Sequence, residues 1–196
     1  MALKFQYNKT ELQKIEKQLK QRYKALPTLK NKESALRAEV KKYKDGLKKL
    51  KEELQLELEK INPMLPLFTE YKDLVSVKGL KVHGQKIAGV KIPVLDDVEF
   101  NLKDFSIFNN PSWFLEGSEL IKHISKLKIA FKIEQKKIEI LEYARKKTTQ
   151  KVNLYEKVQI PAFEEAIIKI KRFLADEENL DRASQKIVKK RKAAVL

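Results

Sequence analysis

Cysteine is absent from this chain, which excludes disulfides and thiolate metal sites. Histidine is nearly absent too. His83 and His123 lie far apart, neither within an H-E-x-x-H pattern, so no zinc site is expected. Glycine and proline are scarce, at five and six residues in 196, and both concentrate in one stretch. No window approaches the roughly 18 uninterrupted apolar residues of a membrane span. The start, Met1 to Tyr7, lacks the apolar core of a signal peptide. A cytosolic location without a direct membrane span is therefore expected. Acidic residues are in deficit: 43 Lys and Arg against 27 Asp and Glu leave a net charge of +16. That excess suggests an acidic partner, whether nucleic acid, an anionic membrane surface or an acidic protein. A solvated lysine-rich helical surface accounts for it equally well.

What the chain has in abundance is Lys, Glu and Leu, the composition of long helices and coiled coils. From Leu12 an apolar seam runs through Ile15, Leu19, Arg22, Leu26, Leu29, Glu33, Leu36, Val40, Tyr43, Leu47, Leu50, Leu54 and Glu57 to Ile61. Its steps of three and four place those side chains along one face of a helix. Thr10 is the expected N-cap, with Gln13 completing a capping box. Pro27 marks a bend or a short break, because it removes a backbone hydrogen bond. The helix is expected to end near Asn62-Pro63.

A second seam starts at Leu120 and runs through Ile124, Leu127, Phe131, Glu134, Ile138, Leu141, Arg145, Thr148 and Val152 to Tyr155. This second helical stretch is predicted from about Gly117 to about Lys190. After Tyr155 the apolar set becomes Ile160, Phe163, Ile167, Ile170 and Leu174, one residue out of phase. A slip of this kind beside Pro161 predicts a local change of supercoil or a kink.

Residues 63–116 hold four of the six prolines and three of the five glycines. Leu74 to Leu80 and Val90 to Phe100 carry the β-branched residues of short strands. Turn chemistry is expected at His83-Gly84-Gln85 and Ala88-Gly89. Asn109-Asn110-Pro111-Ser112 is a breaker, and Ser112 or Ser118 is the candidate cap of the next helix. The predicted fold is mainly α: a long antiparallel two-helix coiled coil with a small β-hairpin-containing insert at the turn. Its three parts are residues 1–62, 63–116 and 117–196.

Catalytic patterns are missing. Gly79 to Lys86 imitates a phosphate-binding loop, but Gln85 stands where the lysine is required. No Ser-His-Asp spacing or isolated carboxylate pair stands out. The pattern supports neither an enzyme nor a cofactor site, and leaves a coiled-coil adaptor or a basic nucleic-acid-binding hairpin open.

One block is more specific. Lys147-Thr148-Thr149-Gln150-Lys151-Val152-Asn153-Leu154-Tyr155-Glu156-Lys157-Val158-Gln159-Ile160-Pro161 resembles the signature of the D subunit of V-type and archaeal-type rotary ATPases. That signature reads approximately K-T-R-R-R-V-N-A-L-E-Y-V-x-I-P. The matching positions are Lys147, Thr148, Lys151, Val152, Asn153, Glu156, Ile160 and Pro161. Leu26 to Leu36 is similar to the family's N-terminal motif. Thr149 and Gln150 replace two arginines, which suggests a divergent, bacterial branch.

The resemblance implies a central-stalk rotor that does no chemistry and transmits torque during ATP-coupled ion transport. The implied partners are the catalytic A and B subunits, the small F subunit of the rotor and a membrane-side collar subunit of C or d type, with no nucleic acid. It places the chain ends, including Leu12, Leu19, Phe163, Ile170 and Lys171, inside the catalytic ring. It turns the insert, including Val77, Lys81, His83, Lys86, Val90 and Pro93, toward the collar or the F subunit.

Overall fold

The computed structural model describes residues 4–71, 74–104 and 110–193. Helix α1 covers Lys9–Ile61, followed by short 3-10 turns at Asn62–Met64 and Leu67–Thr69. Strands β1 (Val75–Ile87) and β2 (Val90–Leu102) come next, then helix α2 (Trp113–Asn153). A π-helical turn at Leu154–Gln159 leads into helix α3 (Ile160–Ala193). The fold is mainly α, an antiparallel coiled coil with a two-stranded hairpin between its long helical arms. It divides into two compact units, residues 1–32 with 147–196, and residues 33–146.

The seams define the buried faces. Every seam position from Leu12 to Ile61, and every one from Leu120 to Tyr155, is buried or half-buried. Helix propensity stabilises a chain only weakly in water, so this mutual burial is what holds the helices.

In the first unit, Ile15, Phe163, Ala166 and Ile170 form the core, with Phe5, Leu12, Leu19, Ile167 and Leu174 packed around it. Cross-helix contacts give the direction. Glu16 pairs with Lys171, Arg22 donates to Gln159, and Lys30 pairs with Glu156. Partner numbers fall as α1 numbers rise, so the helices are antiparallel.

One expectation about α1 needs correction. The cap is Asn8, not Thr10: its Oδ1 accepts the Glu11 backbone N–H at 2.6 Å. Asn8 precedes the helix and offers a carbonyl oxygen at the right reach, whereas Thr10 is already helical. Of the bend or short break expected at Pro27, the break does not occur: the helix is continuous from Lys9 to Ile61. Pro27 and Tyr23, whose carbonyl loses its bond, both lie on the exposed face, where water satisfies the freed acceptor. Burial of the seam then offsets the cost of about 3 kcal/mol.

The phase slip after Tyr155 has a structural counterpart. Val152 and Ile160 are both buried although eight residues apart, one more than a heptad. The π turn takes up the extra residue: the Ile160 N–H bonds to the Tyr155 carbonyl, five residues back. Pro161 has no N–H to offer an α-helical ladder and its ring would crowd the Lys157 carbonyl. A wider turn just before it relieves both demands.

In the second unit, Leu36 and Val40 of α1 meet Leu141 of α2, and Ile92 of the hairpin completes the core. Ile87, Ala88 and Val90 pack against the same group, so the hairpin tip folds back onto the helix pair. The strands are longer than the sequence pattern suggests, and His83-Gly84-Gln85 is no turn. Those residues pair with Val94, Pro93 and Ile92 within the ladder. The single turn is Ala88-Gly89, with φ of 47° and 76°, as a two-residue type I′ hairpin loop requires. Each strand of a two-stranded ribbon is an edge, which tolerates Pro93 opposite Gly84.

At the far end of this unit Phe68, Tyr71, Trp113 and Phe114 form a ring cluster, with neighbouring centroids 4.8–5.9 Å apart. The Tyr71 and Ser118 hydroxyls lie 2.7 Å apart, and Ser118 donates to the Phe114 carbonyl at 2.8 Å. Tyr71 therefore acts as donor to Ser118. Ser112 directly precedes α2, whereas Ser118 lies inside it; Asn109 of the breaker lies outside the described residues. The helix starts four residues before Gly117 because that glycine serves packing, not termination. A Cβ there would sit 3.0 Å from the Trp113 ring.

Gly117→Ala is therefore expected to lower stability by about 1–3 kcal/mol through overpacking. Ala88→Asn is expected to raise it by about 1 kcal/mol, because asparagine tolerates the left-handed conformation that alanine resists. Urea denaturation of the two variants checks both signs.

Candidate functional site

Among the described residues no three His, Asp or Glu side chains are disposed to hold a metal ion, and no helix is long and apolar enough to cross a membrane. Gly79 to Lys86 runs as extended strand β1, not as a loop whose amides converge on a phosphate. The features of interest are therefore surfaces.

The signature block forms the π turn and its flanks. Thr148, Val152 and Ile160 face the seam and are buried. Lys151, Asn153 and Pro161 are exposed, Asn153 as the last residue of α2. Glu156 pairs with Lys30 at 2.7 Å, and the Arg22 guanidinium, bonded to Gln159, stacks over the Tyr155 ring at 4.8 Å. Lys147 has interactions of its own. Pro27 lies between Arg22 and Lys30, so the two proline-bearing segments come to the same level of the first unit. Three of the turn's six residues thus reach α1 with polar or cation–π contacts. The seam needs the turn's shape, and the turn needs α1.

The residues expected to meet a catalytic ring divide by burial. Phe163 and Ile170 are core residues, Ile170 with no exposed surface at all. Leu12 and Leu19 are half-buried against them. Lys171 is exposed and paired with Glu16 at 2.8 Å. The surfaces free to meet another chain are ones the seam reading passed over: Leu154, Val158, Ile168 and Phe173 are exposed apolar side chains. Beyond Leu174 every residue of α3 to Ala193 is exposed, including Leu180, Ile187 and Val188. The signal for these was in the sequence, since apolar residues persist there at helical spacing after the seam loses its partner.

The insert residues also separate. Val77 is exposed, as are Leu80 and Val82. Lys81 pairs with Glu99 at 2.8 Å, and His83 Nδ1 lies 2.6 Å from Asp96. Lys86 is exposed opposite Lys91. Val90 packs against the helix-borne core and Pro93 is half-buried in the ladder, which leaves both with little surface to offer. The hairpin is tied to α2 by Lys126, 3.5 Å from Asp97. The Val98 backbone N–H and then Lys126 hold the Asp97 carboxyl below its usual range.

Between α1 and α3 the Tyr23 hydroxyl donates to Glu164 at 2.6 Å, and this bond pushes the phenol above its ordinary value. A raised folded pKa gives stability that is complete below the unfolded tyrosine pKa and is lost as pH rises through the folded one. Tyr23→Phe is therefore expected to be less stable than the parent at pH 7. The difference should close above a pH of about 10, where the parent's phenolate meets the Glu164 carboxylate. Thermal melts of both proteins across that range check the sign.

Residues 11–190 match the family model described as the D subunit of ATP synthase, a span that takes in the π turn and nearly all of the three helices. The chain is 32% identical over 189 residues to the V-type ATP synthase D subunit of Borreliella burgdorferi, covering 95% of this chain and 94% of that one. It is 30% identical over 176 residues to the V-type ATP synthase D subunit of Chlamydia trachomatis serovar L2, covering 85% of each. The chain therefore belongs to the ATP synthase D-subunit family, and as a V-type member it is a subunit of a V-type ATPase complex.

Proposed function

We propose that this subunit is the non-catalytic central-stalk rotor of its complex, carrying torque between the catalytic A and B subunits and the membrane rotor during ATP-coupled ion transport. The complex then works from the cytoplasmic face of the membrane, with this chain peripheral to it. The observation that carries the reading is the distal part of α3. From Ala175 to Ala193 it is helical yet exposed throughout, with Leu180 69% exposed. A helical end bearing apolar residues, with no partner among the described residues, fits insertion into another protein. The interior of the catalytic ring supplies such surroundings.

In this reading the buried residues Phe163 and Ile170 stiffen the coil that enters the ring. Leu154, Val158, Ile168, Phe173 and the α3 end make the contacts. The apolar side chains exposed near the α1–α2 connection, Leu56, Leu58, Leu65, Leu67 and Leu115, face the collar subunit. The outer hairpin residues Val77, Leu80 and Val82 face the small F subunit of the rotor. Torque transfer needs no catalytic group. A rotor whose surface differs with angle stabilises a different nucleotide state of each catalytic site, which links rotation to turnover.

Because the chain has no cysteine, Leu180→Cys introduces a single thiol. In the purified complex, a short thiol-to-amine cross-linker at this position is expected to capture a catalytic A or B subunit and to block ATP hydrolysis. Capture of other subunits only, with hydrolysis unimpaired, overturns the rotor reading.

A further inference from the structure

Most of the chain's lysines lie in the helices, and on α1 they are not evenly spread. Arg37, Lys41, Lys44 and Lys48 follow one another at i, i+4, i+7 and i+11. At 100° per residue that spacing confines all four to an arc of about 60°. They line a groove of about 560 Å³ together with Arg145 of α2. Lys44 is neutralised by Glu142, and Asp45 is the one carboxylate on the groove wall. No ion pair within the described residues satisfies Arg37, Lys41, Lys48 or Arg145. The rest of the wall is Ser34, Ala38 and Val40, short side chains that leave room between the basic ones.

We propose that this face of α1 is a docking surface for an acidic helix of a partner protein. Like charges held in a row repel one another, and an opposing row of carboxylates relieves that repulsion while setting register. Arg37 with Lys44, and Lys41 with Lys48, repeat every seven residues, about 10.5 Å along the helix. Carboxylates on the partner at the same heptad spacing meet Lys41 and Lys48, with Arg37 and Arg145 beside them in the same groove. A nucleic acid fits less well, because the groove has no aromatic side chain on which a base stacks. The proposal goes beyond the rotor reading and does not depend on it.

The test is zero-length carbodiimide cross-linking, which joins lysine amines to carboxylates, applied to the purified native complex. Lys41 and Lys48 are expected to link to Glu or Asp residues on a helix of another protein, and the links should disappear at about 0.5 M salt, where screening is short-ranged. The double variant Lys41→Glu/Lys48→Glu is expected to retain that protein about tenfold less well at about 0.1 M salt. Lys128→Glu, an exposed charge change of the same sign on α2, serves as control, and circular dichroism confirms that each variant folds. Links confined to Asp45 and Glu142, or none, overturn the proposal. So does nucleic acid that co-purifies with the parent and is lost from the double variant, with no protein carboxylate among the links. Failure here leaves the Leu180→Cys result untouched, so the two readings fail separately.

Discussion

Two helical arms with more than a third of their residues charged do not persist in water on propensity alone. Each has to bury one face against the other. In the first unit that burial is the Ile15, Phe163, Ala166 and Ile170 core, and in the second it is Leu36, Val40 and Leu141 with the hairpin's Ile92. Two of the polar residues at seam positions, Arg22 and Glu134, reach partners at the margin. Arg22 leaves the seam to bond Gln159 and cover Tyr155, and Glu134 bonds Lys137, itself nearly buried against the Tyr43 ring. Everything else in the fold depends on that seam being continuous.

Continuity explains the π turn. Val152, Ile160 and Phe163 are all buried across the one-residue slip, and the proline at 161 has no N–H to give the ladder beside them. One wide turn meets both constraints. The block from Lys147 to Pro161 thus contains the π turn, with Glu156, Gln159 and Tyr155 anchoring it to α1. Pro27 sits on the exposed side of the same level, where its missing hydrogen bond costs least.

The hairpin changes how the insert is to be understood. It does not project freely, because its tip shares a core with α1 and α2. The exposed surfaces of the second unit include the outer hairpin residues, the apolar side chains at the α1–α2 connection and the basic stripe of α1. Those of the first unit include the off-seam apolar residues and the end of α3, which is exposed throughout.

Much of this was legible in the linear sequence. The seams are periodic patterns, and periodicity follows from the helix repeat whatever the partner, so the buried or half-buried placement of all fifteen positions from Leu12 to Ile61 could be read in advance. The one-residue slip beside Pro161, and the block from Lys147 to Pro161 that points to the family, were equally local signals. Tertiary structure decided the rest. Whether the slip becomes a kink or a π turn depends on what the far side of the coil demands. Whether Pro27 breaks α1 depends on the seam energy that opposes it. Gly84 reads as a turn until Pro93 is found opposite, and Gly117 reads as a boundary until the Trp113 ring is seen against it. Contact residues were the least legible, because a seam pattern identifies what a chain buries in itself. The surface it offers to others appears only once that burial is complete.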